Sequence, residues 1–521
     1  MSRATLLDTA HDRVKDLDWE PDYVFGEARY PTRYKIPKKT KDPFKHLVRQ
    51  YCAMEREKDD RVYGSVSDVC TRTRSVSKVQ ERWGEAMKLM LTAVPVAEYA
   101  VQKSMALLIE AVDNAELRQG YLAQMMDEQR HYSQEYYLAR YFAKYWKDPH
   151  GFAMGIKHKS QNLFFRPFRA GFIDTMVNGD PIMSCLGHPL IAETAYTNPL
   201  FVAVTELAAA NGDDVTPSVF LSIQSDEVRH MANGYATISA LLSEPDNLPI
   251  LQEDLDDLWW QTSRFFDPFL GVIYDYFPKV RASRSWAEYW DEWIWEDFGG
   301  SYLARLEPFG LRPPATFAQS RDNVRVAQHQ AAMFAFAAWP LQFFRFDVPT
   351  PADFEWLEGK YPGYWDENST FWEMYEAMAD PAEGAAVLGV LGSIGRLPTL
   401  CRMCQMPAIF PKISEPTERI VKKGDRWEAF CSIECERIFD KAPHRYMGYT
   451  PFFERYDGWD LADIVIDQGL VRADGKTLVG QPRLDTDRMW TVEDLRRCEV
   501  TIEDPVRLYV EEMEAEAEAD R

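Results

Sequence analysis

Asp127-Glu128-Gln129-Arg130-His131 and Asp226-Glu227-Val228-Arg229-His230 are the two stretches that decide how this chain folds. Each contains Glu-x-x-His, with Asp before the Glu and Arg before the His. Residues i and i+3 share one face of a helix, so each stretch aims a carboxylate and an imidazole in the same direction. About one helical hairpin upstream of each lies another carboxylate, Glu98 before the first and Glu193 before the second. A single Glu-x-x-His is commonly a surface pair. Two of them, each preceded by a Glu in an apolar stretch, point to one interior site.

The surrounding sequence supports that interior. Leu, Met and Ala recur at helical spacing from Trp83 to Tyr145, with a break expected near Asp113–Gly120 and a kink at Pro95. This predicts two long helices, one with Glu98 and the next with Glu128 and His131. Phe164–Val177 reads as a further apolar helix and Pro189–Asn211 as the helix of Glu193. Thr216-Pro217 supplies an N-cap and first-turn proline for a helix that carries Glu227 and His230 to about Ser243. The order Glu helix, Glu-x-x-His helix thus occurs twice, and predicts a pseudo-twofold site. The fold class expected is mainly α, with a ferritin-like four-helix bundle core, extra helices and a smaller α+β C-terminal region.

Four carboxylates, hard anionic oxygen donors, with two neutral imidazoles are the ligand set of a di-iron or di-manganese centre. Buried without metal, the same carboxylates would be strongly destabilising. The expected metal ligands are Glu98, Glu128, His131, Glu193, Glu227 and His230. Asp127 and Asp226 have the right chemistry to orient ligand imidazoles from behind, and Arg130 and Arg229 to pair with those Asp. Thr197, one turn after Glu193, is a candidate proton relay, and Asn198 lies beside it. Glu193, Glu227 and Thr197 are the residues expected to act in catalysis. Val94, Val101, Phe172, Met176, Phe201, Phe220 and Ile223 fall near the ligands at helical offsets and would line a small apolar substrate pocket.

The rest of the chain is organised around this bundle. Of its 521 residues 46% are hydrophobic and 27% charged, an ordinary globular composition, and the net charge of −23 argues against nucleic acid or an anionic membrane as partner. Met1 to Tyr23 lacks the apolar run of a signal peptide, and Ala331–Phe344 and Ala385–Leu391 are too short or interrupted to span a bilayer, so a cytoplasmic protein is expected. The division expected is an N-terminal arm with leading helices over 1–80, the metal-binding bundle over 81–395, a Cys-containing module over 396–450 and an α+β region over 451–521 ending in an acidic tail at Glu511–Arg521. Trp259–Trp295 is an aromatic stretch expected in the core or at a subunit interface. Val324–Phe346 reads as a helix and Leu461–Ile466 as a strand. Cys401, Cys404, Cys431 and Cys435 form a C-x2-C…C-x3-C set whose thiolates suit a structural zinc. The run Phe430–Tyr446 resembles the small metal-binding YHS modules.

Thr197–Tyr235, Gly120–His131 and Gly475–Pro482 resemble the corresponding stretches of the soluble methane monooxygenase hydroxylase α subunit. The resemblance covers nearly the whole chain, matches all six ligand positions, and extends to the bacterial multicomponent di-iron monooxygenases of small hydrocarbons. It implies one iron at Glu98, Glu128 and His131 and another at Glu193, Glu227 and His230. It also implies a β subunit, with or without γ, in an (αβ)2 or (αβγ)2 hydroxylase. A small regulatory protein would complete the system, with a separate reductase carrying FAD and a [2Fe–2S] cluster and drawing on NADH. The expected reaction is O2-dependent epoxidation or hydroxylation of a short-chain alkene or C2–C4 alkane. Glu135 stands where the methane enzymes have Cys, and Val94 and Val101 where they have Leu and Ala. These departures turn the expectation away from methane. Methane monooxygenase proper remains an alternative reading, as does a ferritin-like radical-generating or iron-oxidase protein. A radical generator would keep a Tyr at position 135, and an iron oxidase would be much shorter.

Overall fold

The computed structural model describes residues 75–146, 164, 167–337, 349–378, 380–394, 400–407, 419–447, 456, 458–467 and 470–471. The N-terminal arm, Gly475–Pro482 and the acidic tail lie outside the described residues. Two helices of equal length open the bundle, α1 (Glu81–Ala111) and α2 (Ala115–Tyr145). The Gln80 side chain accepts from Trp83 N at 3.1 Å to start α1. Asn114 accepts from the backbone of Glu116 and Leu117, each at 3.1 Å, to start α2. These caps satisfy amides that a helix leaves unpaired at its first turn and set the break between the helices.

The second half of the bundle departs from a plain α-helix. Short helices at Phe168–Ile173, Asp174–Asn178 and Pro181–Cys185 lead into α3, the π-helical segment Leu186–Thr197. α4 (Asn198–Ala210) continues it, and α5 (Thr216–Leu242) returns. The helix expected over Pro189–Asn211 is therefore wound more widely in its first half. Within that half the Thr194 hydroxyl donates to the Pro189 carbonyl, five residues back, at 2.7 Å. At the start of α5 the N-cap is Val215 and not Thr216, which is the first helical residue; the Asp213 carboxylate accepts from Val215 N and Thr216 N.

α1, α2, α3–α4 and α5 pack together as the bundle. Backbones approach closely where small residues allow it. A Cβ on Gly234 of α5 would stand 2.6 Å from the Pro189 ring, so this glycine lets α5 sit directly on α3. α6 (Leu248–Asp275) covers the bundle and carries the expected aromatic core: Trp259 and Trp260 are fully buried, as are Trp286 and Trp290 beyond it. Of the helix expected over Val324–Phe346, residues 324–326 form a turn and Ala327–Ala337 are helical, the remainder lying outside the described residues.

The C-terminal part holds the only sheet among the described residues. β1 (Arg419–Lys423) and β2 (Arg426–Phe430) form an antiparallel hairpin in which Arg419 pairs with Phe430 and Lys423 with Arg426. Gly424, at φ +63°, turns it. α7 (Ile433–Lys441) follows. The strand expected at Leu461–Ile466 is instead a helix, α8 (Leu461–Asp467). Asp460 caps it, accepting from Ala462 N at 3.0 Å, and it packs on the helix Pro381–Ile394. A short apolar run does not distinguish the two structures, and here the cap and the partner helix decide. Among the described residues, no helix is long and apolar enough to cross a membrane.

Candidate metal centre

Four helices bring the six expected ligands to one buried place. Glu98 comes from α1, Glu128 and His131 from α2, Glu193 from α3, and Glu227 and His230 from α5. All are buried. His131 Nδ1 lies 3.6 Å from both Glu98 and Glu128 and 3.5 Å from Glu227. His230 Nδ1 lies 3.1 Å from Glu193, 3.4 Å from Glu128 and 3.7 Å from Glu227. The imidazole centroids are 5.6 Å apart. Two donor triads result, Glu98–Glu128–His131 and Glu128–Glu193–His230, each with ligand atoms within 4.8 Å of one another. Glu128 belongs to both, and Glu227 reaches both imidazoles, so these two carboxylates lie between the halves.

The donor set fits a pair of metal ions. Glu98, Glu128, Glu193 and Glu227 each keep a buried oxygen with no hydrogen-bond partner, and His131 Nδ1 has none either. Leaving so many buried polar atoms unsatisfied is costly, and cations between them would satisfy all at once. The charges are correspondingly disturbed. Burial pushes the Glu98 carboxyl up, helped by the charge of Glu128; burial and Glu193 take Glu227 to about 7. Burial opposes ionisation of Glu128 and Glu193 as well, but the charges of His230 and His188 hold these two below the usual carboxylate range.

Behind the imidazoles the two motifs exchange partners. His131 Nε2 lies 3.1 Å from Asp226, and His230 Nε2 lies 3.4 Å from Asp127. Arg130 contacts both aspartates, Asp226 at 2.5 Å. Arg229, more exposed, pairs with Asp226 and reaches Asp127 at 3.4 Å. Burial would raise Asp226, but the hydrogen bonds from His131 and Arg130 bring it well below the ordinary range. Each aspartate thus fixes the ring of the opposite motif with its second nitrogen, leaving Nδ1 turned to the centre.

The other expected residues fall as follows. Glu135 is fully buried, and neither of its oxygens has a hydrogen-bond partner among the described residues. Burial and the charge of Glu98 push its carboxyl well up. The Thr197 hydroxyl is likewise unpartnered; the Asn198 side chain lies outside the described residues. Val101, Phe172, Met176, Phe201, Phe220 and Ile223 are buried and Val94 half-buried. Phe201 and Phe220 pack at 5.0 Å between ring centroids.

Two site residues escaped the sequence reading. Gln124, one turn before Glu128, donates to Glu128 at 3.1 Å and to Glu193 at 3.4 Å; the i, i+4 spacing was the available signal. His188 Nε2 lies 2.6 Å from Glu193 and 3.4 Å from Glu128. It precedes Glu193 by five residues, a spacing that shares a face only in a π-helix.

The four cysteines of the C-terminal module also converge. Cys401, Cys404, Cys431 and Cys435 place their sulfurs within 4.8 Å of one another, with Cys431 3.5 Å from both Cys404 and Cys435. The turn after Cys404 needs Gln405 at φ +61°, the only non-glycine with positive φ among the described residues. Arg402 N donates to Ala429 O at 2.8 Å, joining the first pair to the hairpin that leads into the second. From α6, Arg264 directs its guanidinium at Cys431 (3.4 Å) and Cys404 (3.7 Å), and the Trp260 indole N–H lies 3.3 Å from Cys435. A buried cation and an N–H donor favour thiolates, the form that binds metal.

Comparison with known proteins agrees with this geometry. The family described as Methane/Phenol/Alkene Hydroxylase matches residues 19–245. The methane monooxygenase component A alpha chain of Methylococcus capsulatus is 33% identical over 503 residues, covering 96% of this chain and 94% of that one. The propane 2-monooxygenase hydroxylase large subunit of Mycolicibacterium goodii is 38% identical over 523 residues, covering 95% and 94%. The crystal structure of phenol hydroxylase from Pseudomonas sp. OX1 shares the fold at a TM-score of 0.64, with 24% identity over 95% of this chain and 99% of that one. The chain belongs to the methane/phenol/alkene hydroxylase family, as the hydroxylase α subunit of a bacterial multicomponent monooxygenase.

Proposed function

We infer that this subunit oxygenates a short-chain alkene such as ethene or propene, or a C2–C4 alkane, in preference to methane. Hydrocarbon, O2, two electrons and two protons give an alcohol, or an epoxide from an alkene, plus water. The observation that carries the oxygenase chemistry is the buried set of four carboxylates with unpartnered oxygens facing two imidazoles. The higher identity to a propane 2-monooxygenase subunit than to the methane enzyme supports the choice of hydrocarbon.

Glu98, Glu128, His131, Glu193, Glu227 and His230 would hold two iron ions, which supply the electron transfer to O2. Asp226 and Asp127 keep the two imidazoles in register from behind, with Arg130 and Arg229 balancing their charge. Thr197 offers a hydroxyl on the helix of Glu193 to pass a proton into the site. Val94, Val101, Phe172, Met176, Phe201, Phe220 and Ile223 enclose the substrate and exclude water. Electrons come from a separate reductase that draws on NADH through FAD and a [2Fe–2S] cluster. A small regulatory protein and a β subunit, with or without γ, complete the cytoplasmic system. Cys401, Cys404, Cys431 and Cys435 hold a structural zinc that anchors the C-terminal module to α6.

Single-turnover oxidation tests this. Chemically reduced, iron-loaded hydroxylase is mixed with O2 and methane, propane, ethene or propene, and iron is quantified on the same sample. Two irons per chain, with epoxide from the alkenes or alcohol from propane and little from methane, are expected. Methanol as the main product would return the assignment to methane. Two irons without any oxygenated product, even with the regulatory protein present, would overturn the oxygenase reading.

A further inference from the structure

We propose that His188 is a specificity-determining residue that binds a hydroxyl group of a compound held beside the metal centre, so that small alcohols are ligands of this pocket. The proposal rests on the oxygenase reading above and deepens it.

His188 is only 6% exposed. Its two nitrogens face different surroundings. Nε2 is engaged by Glu193 at 2.6 Å and Glu128 at 3.4 Å. Nδ1 has no hydrogen-bond partner among the described residues. The two nitrogens of an imidazole point away from each other, so Nδ1 is turned from the carboxylates. The ring packs near Phe172, at 6.3 Å between centroids. Phe172 is in turn edge-on to Phe266 at 6.1 Å and stacked on Phe168 at 5.5 Å. One unpartnered polar atom therefore stands on the ring that borders the Phe172 aromatic cluster.

A buried nitrogen left without its hydrogen bond is disfavoured. A hydroxyl meets Nδ1 whichever way the proton lies, accepting from N–H or donating to the bare nitrogen. A pure hydrocarbon meets it in neither state. The buried nitrogen therefore discriminates in favour of an oxygen-bearing occupant, and discrimination is larger when a site built to hydrogen-bond is left unpaired. Glu193 and Glu128 hold the ring from the other side and set its orientation.

The two nitrogens can be removed separately. The asparagine amide of His188→Asn falls near Nδ1, and the glutamine amide of His188→Gln near Nε2. Fluorine NMR would follow binding of trifluoroethanol and of trifluoropropane to the complete iron-loaded hydroxylase. The native protein and His188→Asn should bind trifluoroethanol, and His188→Gln should bind it about tenfold more weakly, with trifluoropropane affinity unchanged throughout. Iron per chain and propene oxidation are recorded on the same samples. Failure of the native protein to bind trifluoroethanol, or equal loss of both probes in His188→Gln, would overturn the proposal. Loss of iron from both variants would also overturn it, by making His188 part of the metal-binding set. Absence of propene oxidation with intact alcohol binding would count against the oxygenase reading alone.

Discussion

His131 and Asp226 belong to different copies of the repeated motif, yet the imidazole Nε2 of the first lies 3.1 Å from the carboxylate of the second. The reciprocal contact, His230 to Asp127, is 3.4 Å. Each half of the centre is thus oriented by the other half, through a cluster that Arg130 closes.

Asp226→Asn should accordingly damage the metal site formed by the opposite motif. The asparagine retains the shape but removes the charge that draws the Nε2 proton. Outer partners of this kind are worth about 10–100-fold in metal affinity or activity. Titration with ferrous ion should show one weakened site and one nearly native site. Equal weakening of both, or of neither, would contradict the crossed arrangement.

The cysteine cluster makes a separate prediction. Cys404→Ser should lower zinc content from one ion per chain toward none, measured by elemental analysis. The C-terminal module would then lose its anchor on α6, and the melting temperature should fall by about 5 °C or more. Iron content should stay near native. Zinc-free native protein with unchanged stability would rule the structural zinc out.

Asp267 gives a pH dependence away from the metal site. The Trp290 indole N–H donates to its carboxylate at 3.0 Å, and burial pushes the carboxyl up to about 8. In the unfolded chain it titrates at about 4. The folded protein holds the proton more tightly, so this stabilising difference is complete below about pH 4 and lost as pH rises to about 8. Asp267→Asn keeps an acceptor for Trp290 and has nothing to ionise. Thermal melts should show the variant gaining on the native protein from pH 5 to pH 8. Parallel pH profiles would refute the assignment.

Gly234→Ala tests how tightly α5 sits on α3. Its Cβ would meet the Pro189 ring at 2.6 Å. Overpacking of this kind costs about 1–3 kcal/mol. Chemical denaturation should register the loss, and a shift in the ultraviolet absorption of the iron-loaded protein should report the moved Glu193. Native stability would mean that Pro189 yields freely.

The centre was legible because Glu-x-x-His spacing states a helix face directly for four of the six donors, and Glu98 and Glu193 stand in apolar helical stretches one hairpin upstream. The crossed aspartates were not, since adjacency to Glu128 or Glu227 in sequence says nothing about which ring a side chain meets across the bundle. His188 was hidden by the π-helical winding of Leu186–Thr197, which changes the spacing that counts as one face. Leu461–Ile466, expected as a strand, is helical because a short apolar run suits either structure and the Asp460 cap decides between them. The cysteine pairs were readable as a set. Arg264, which joins them to the bundle, is far away in sequence and carries no local signal.

The widened turn of α3 has a consequence for the repeat itself. Two copies of one motif would load two metal ions alike if the fold kept their symmetry. The π-helical segment adds an imidazole, His188, against Glu193, while α2 adds a buried carboxylate, Glu135, beside Glu98. One position therefore gains a basic neighbour and the other a second buried acid. The twin motifs describe a pair of unequal berths.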